Sequence, residues 1–253
     1  GGREAAGAGL VARLGFDGRG FVVLLARCPP RPMDTGRRVM FATDRDLLVI
    51  EPGLLGSVAW VGQRLVLGVG ALTGTSLTMG SQDNGFVSQG VGPGSVVQIG
   101  GAGFEVVSVA SESEATVSRL RDSADGPAIA LADVTGAEVS VYTFAPQIAD
   151  THRRVVRMLG LEVAGEALDD ELDESAVVNP ASLVRLEAMG ALHLIYAGAS
   201  AGQGADSPAA VRAALYRERF AAERGAVVVK IDADGDGLAD SARRPGLTRL
   251  VRG

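Results

Sequence analysis

The chain has 253 residues, 47% of them hydrophobic and 21% charged, enough for one or two folded units with real cores and too apolar for a chain disordered throughout. Its net charge of −6 argues against nucleic acid as the main partner. A single cysteine excludes an intrachain disulfide and a cysteine metal cluster, and leaves the redox compartment open.

The first residues are compositionally apart. Residues 1–38 carry seven Arg against three acids, a local excess of +4 in an acidic chain. They are rich in Gly, Ala and Pro and show no sustained period. The apolar run Phe21–Ala26 is short for a signal-peptide core, and Arg27 stands where a lipoprotein site at Cys28 would need a small residue. Residues 1–39 are expected to be disordered, or an extension ahead of a natural start at Met33 or Met40. An uncleaved export signal is the alternative.

From Thr43 a helical pattern is expected through DRDLLVIEPGLLGSVAWVGQRLVLG, capped by Thr43 or Asp44 and divided at Pro52, which removes a helix hydrogen bond. At Gly74 the texture changes to short β-branched runs punctuated by Asp-Asn-Gly, Gly-Pro-Gly and Asp-Gly-Pro. The expected strands are Ser76–Met79, Phe86–Ser88, Val96–Ile99, Phe104–Val109, Thr116–Leu120, Ile129–Leu131 and Glu138–Phe144. Their even spacing predicts a small antiparallel barrel or sandwich over residues 74–145, inserted between helices. Helix returns over Pro146–Leu161, and the acidic EALDDELDES that follows reads as a solvated loop.

The stretch Asn179–Ser200 organises the rest. Asn179 suits an N-cap and Pro180 the first helical position. Its apolar residues, among them Leu183, Leu186, Met189, Leu192, Ile195 and Tyr196, point around most of the circumference, which is the mark of a buried helix. Arg185 and Glu187 within it exclude a comfortable membrane span. Ser207 and Pro208 open a last helix that Gly225 should end at C′. A strand over Ala226–Ile231, an Asp-Gly loop and a second strand-like run complete the chain. The expected fold is α+β: a small helical bundle (residues 40–73 and 146–225), an inserted antiparallel β-barrel-like unit (74–145) and a C-terminal β-hairpin (226–253).

Few motifs carry chemistry. Asp232-x-Asp234-x-Asp236-Gly237-x-x-Asp240 places oxygen ligands at alternate positions with Gly sixth, as a calcium loop does. It looks like the loops of dockerins, thrombospondin type 3 repeats and EF-hands. However, Arg243 occupies position twelve, where an EF-hand has a bidentate Glu, and there is one copy. The simpler reading is an Asp-rich hairpin turn to which calcium is at most an addition. Gly68-x-Gly70-x-x-x-Gly74 lacks the strand-then-helix context of a dinucleotide loop, and with Lys230 as the single lysine no Walker A sequence exists. His152 and His193 fall on helices without a recognisable nucleophile, so local packing roles are expected and no catalytic residue or cofactor site is assigned. On the last helix Val211 and Leu215 lie on one side and Phe220 nearly opposite. Two such stripes suit packing inward on the domain and outward on a second subunit, with Tyr216, Arg219 and Phe220 as interface candidates.

The layout of MFATDRDLLVIEPGLL, FVSQGVGPGSVVQIGGAGFEVVSV, SLVRLEAMGALHLIYAGAS and YRERFAAERGAVVVKIDADGDGLADSARR resembles structural proteins of tailed phages and prophages, closest to the head–tail connector (adaptor) proteins. The resemblance covers Met40 to Gly253 and rests on layout, with the β-insert a departure from the all-helical adaptor. It implies a non-enzymatic virion protein of the neck, assembled in the bacterial cytoplasm. Its partners would be identical subunits in a ring, the portal, and tail-side proteins. Neither a membrane nor a specific nucleic-acid sequence is expected as partner. A calcium-dependent binding module and an unrecognised hydrolase are the alternatives.

Overall fold

The computed structural model describes residues 40–164, 166–167 and 171–246, together with the backbone of 11–17 and 20–26. The chain divides into two compact units, residues 1–38 and 39–253. In the first, β1 (Val11–Asp17) and β2 (Gly20–Ala26) form an antiparallel ribbon with Val11 opposite Ala26 and Asp17 opposite Gly20. The rest of the expected 1–39 extension lies outside the described residues, as does the end of the second strand-like run beyond Gly246.

The second unit is α+β, a helical layer joined to a closed barrel. Helix α1 (Asp44–Ile50) starts where expected. Thr43 donates both its backbone N–H and its hydroxyl to the Asp46 carboxylate, each at 2.8 Å, in a capping-box arrangement. It stops before Pro52. Helix α2 (Leu54–Val58) and a 3-10 turn at Ala59–Val61 follow.

Here sequence and structure part. QRLVLG is strand: β3 runs Gln63–Thr73. The barrel therefore begins at Gln63, and the expected boundary at Gly74 is the tight turn into β4 (Ser76–Gln82), where Gly74 adopts a φ of +60°. The other strands are β5 (Val96–Ile99), β6 (Ala102–Val109), β7 (Glu114–Ser118) and β8 (Val134–Thr143). The barrel closes in the order β3-β4-β7-β6-β5-β8, with every pairing antiparallel. Closure leaves no free edge. Val66, Leu72, Leu77, Val97, Val106, Val117, Val139 and Val141 fill it.

Two expected strands are absent. Phe86–Ser88 is a turn that buries Phe86 in the barrel core, and Ile129–Leu131 only runs alongside, with the Ile129 N–H donating to Ser118 Oγ at 2.8 Å. Gly68 and Gly70 are required by the barrel wall: a Cβ on Gly68 would lie 2.0 Å from the Ser81 carbonyl, beside a bulge at Val69/Gly70.

Helix α3 (Ala145–Met158) leads to a 3-10 turn at Glu174–Ala176, then α4 (Ala181–Ala199), α5 (Pro208–Ala226) and the ribbon of β9 (Val229–Ile231) and β10 (Ser241–Arg243). The all-round apolarity of α4 has a direct cause, since it separates two cores. Leu192, Ile195 and Tyr196 pack with Leu47, Leu54 and Tyr216 on one side. Leu183, Leu186 and Met189 pack with Val155, Val156, Phe220 and Val229 on the other. Gly190 allows the close approach, because a Cβ there would meet Thr151 at 2.4 Å and Phe220 at 3.0 Å.

Ser207 caps α5 as expected, accepting from the Ala210 N–H at 3.2 Å. Two other caps differ. Asn179 spends its side chain on the ribbon, donating to the Val228 carbonyl (3.0 Å) and accepting from the Lys230 N–H (2.7 Å). Gly225 stays inside the last turn of α5 without a left-handed φ, because the helix runs on to Ala226.

Barrel and helices meet at α1. Arg45 and Arg121 both donate to the fully buried Glu105 of β6, and Arg45 also donates to the Arg121 carbonyl. Asp44 accepts from the Phe144 N–H at 2.7 Å, and Val96 of β5 lies in the α1–α4 core. Glu105→Gln would leave two guanidiniums buried against a neutral amide. The expected cost is about 3–5 kcal/mol, read as a lower urea midpoint with an unchanged slope.

Candidate functional site

The Asp-Gly loop joins β9 to β10, and its geometry comes from its own carboxylates. Asp232 accepts from the Gly235 N–H (2.7 Å) through Oδ1 and from the Gly237 N–H (2.8 Å) through Oδ2. Asp240 accepts from the Ala233 N–H at 2.6 Å, and Asp236 from the Leu238 N–H at 2.7 Å. Gly235 and Gly237 supply the left-handed φ angles, +77° and +89°, that the tight path needs. The amide of Gly237, then that of Gly235, holds the Asp232 carboxyl below its usual range. Of the four aspartates expected as ligands, the fold brings Asp232, Asp234 and Asp240 together, with one oxygen of each within 4.8 Å of the others. Asp236 is not part of that group and accepts from the Leu238 N–H. Arg243, the departure at position twelve, has a separate task. It donates to the carbonyls of Leu159 (2.6 Å) and Gly160 (3.0 Å), capping the C-terminal end of α3 with a cation. Hairpin turn and three-carboxylate cage are thus one object, and hard oxygen donors of this kind suit a calcium-sized cation.

The expected interface residues separate. Tyr216 and Phe220 are 2% and 9% exposed and belong to the chain's own cores, so they have no face to offer a partner. Tyr216 stacks on Tyr196 with ring centroids 5.8 Å apart and donates its hydroxyl to Glu51 at 2.7 Å. Arg219 remains at the surface, its guanidinium 5.6 Å from the Tyr216 ring centre. The exposed apolar side chains of α5 are Val211 (57%) and Leu215 (40%).

Both histidines tie helices together, the local role expected of them. His193 lies 3.0 Å from the Ala213 carbonyl of α5. His152 is buried between two acids, with Nδ1 3.0 Å from Glu187 and Nε2 3.7 Å from Glu174. Glu187 in turn accepts from the Ala42 N–H at 3.1 Å. Burial opposes a charge on His152, but the facing carboxylates of Glu174 and Glu187 outweigh it and lift the imidazole pKa to about 9. Burial pushes the Glu187 carboxyl up.

This cluster was not expected. Glu174 belongs to the stretch read as a solvated loop, yet it is buried. The signal was present all the same: His152 shares the inward face of Val155 and Val156, and Glu187 sits on a helix that is apolar around most of its circumference. Two open grooves among the described residues, along α3 and on the barrel wall beside Glu138, contain neither histidine. No helix among the described residues is long and apolar enough to cross a membrane.

Two outcomes are expected. His152 binds a proton more tightly folded than unfolded, so its contribution is complete below pH 6.5 and is lost as pH rises through 9. Stability should fall by an amount on the order of 2–3 kcal/mol across that window, and His152→Gln should remove the slope in urea unfolding at each pH. Calcium should bind more weakly than micromolar in isothermal titration, since both Asp232 oxygens are engaged and no bidentate Glu is available. Asp234→Ala should abolish the residual heat.

No family model matches the sequence, and neither a curated protein nor a solved structure is detectably similar to it.

Proposed function

We propose that the chain is a structural virion protein of a tailed phage or prophage, joining the portal side of the head to the tail as one subunit of an oligomeric ring. The observation that carries it is the outward face of α5. This 19-residue helix buries Ala213, Tyr216 and Phe220 against its own domain and leaves Val211 and Leu215 exposed on another side. A long helix with apolar residues on a solvent face suits packing between subunits. The likeness to connector proteins rests on the helical layer and the C-terminal ribbon, and the closed barrel is a departure from it. Both histidines are engaged in ties between helices, which speaks for surfaces rather than turnover. A calcium-dependent binding module is the second reading, favoured by the convergence of Asp232, Asp234 and Asp240.

Co-expression with the portal and tail proteins encoded beside it, followed by electron microscopy, tests the first reading. A ring on the portal is expected, weakened by Leu215→Asp. Failure to associate with any of these neighbours would set the virion role aside.

A further inference from the structure

Charge on this surface is segregated. Helix α3 carries Arg153, Arg154 and Arg157 on one outward face, and with Asp150 and Met158 they line an open groove of about 430 Å³. Asp150 is the single acid there and is shared, 3.4 Å from Arg153 and 3.5 Å from Arg154. Arg157 has no ion pair among the described residues. The Asp-Gly loop is the converse. Its carboxylates meet amides of the loop and one another, Arg243 is directed to the end of α3, and the loop aspartates form no ion pair among the described residues. Beside them Leu238 is 69% exposed. Within one chain, therefore, an excess of guanidinium and an excess of carboxylate both stay unneutralised.

We infer that these surfaces are the two halves of one contact between copies of this chain: the Asp-Gly loop of one copy sits in the α3 groove of the next, with Leu238 against Met158. Planar guanidiniums suit carboxylates in pairs, and complementary charge fixes register more than it adds raw affinity. Two different patches make a heterologous contact, which propagates to a ring if the rotation closes. A phosphate backbone in the groove is the lesser fit, because the chain is acidic overall and carries seven acids in the 14 residues after Gly160. The inference rests on the self-assembly part of the proposed function and needs no portal.

The test uses the full chain in sedimentation equilibrium. Arg154→Glu with Arg157→Glu should weaken self-association about tenfold or more, and Asp234→Arg with Asp236→Arg should do the same. Because an Arg loop fits a Glu groove, an equimolar mixture of the two variants should restore assembly with alternating subunits. Unchanged circular dichroism of each variant, with rescue in the mixture, separates lost contact from lost fold. Wild-type chain monomeric at every attainable concentration would overturn the contact, as would indifference to both reversals or failure of the mixture to assemble. So would an arginine reversal that abolishes retardation of duplex DNA in a gel yet leaves self-association intact. Rescue in the mixture without portal binding would keep the contact and remove the virion reading instead.

Discussion

One buried carboxylate sets the arrangement of the helical layer. Glu187 lies midway along the most apolar helix of the chain and is wholly inaccessible to water. A charge so placed is tolerated only with partners at fixed positions, since isolated burial costs several kcal/mol. The partners come from three parts of the chain. His152 brings α3 to α4, the Ala42 N–H brings the segment that enters α1, and Glu174, on the far side of the imidazole, pins the connection between α3 and α4. Packing around α4 then has one solution, because rotating it by one residue would carry Glu187 into hydrocarbon.

The same logic recurs three residues beyond Ala42. Arg45 leaves α1 in the opposite sense and meets Glu105 inside the barrel wall, where Arg121 completes the set. Helix α1 is therefore a rigid strut between two buried acids, one in the helices and one in the barrel. The barrel has a core of its own, yet its position against the helices depends on that strut and on Asp44 holding the exit of β8 at Phe144. Cutting between Gly74 and Ala145 would divide β3 from β4 and leave β3, one strand of the six, on the helical layer.

Much of this was legible in the residues, and the failures are informative. The buried nature of α4, the Ser207–Pro208 start of α5, the texture change to strands and the C-terminal hairpin all followed from periodicity and turn chemistry. Gln63–Gly70 did not. Its apolar positions suit a buried helix or a barrel strand equally well, and only the steric demand at Gly68, set by a strand elsewhere in the sequence, decides. Asn179 and Gly225 carry the right chemistry for caps and do other work, because a neighbouring strand and a helix that runs on compete for them. Glu174 was misread for a related reason. An acid within an acidic run looks solvated until the histidine that faces it is known.

What remains for function follows from how the titratable groups are spent. Glu105, Glu187, Glu174, His152 and Asp44 serve the architecture, each facing a partner that fixes an element. The Tyr216 hydroxyl is tied to Glu51, and burial pushes its pKa up further. The surface of the described residues offers other groups, among them guanidiniums along α3, carboxylates in the Asp-Gly loop, Trp60, and two aliphatic side chains on α5. All are groups that gain free energy when a complementary surface arrives, the charges by neutralisation and the aliphatics by leaving water. A chain built this way stores its unsatisfied interactions on the outside, where another folded surface can complete them.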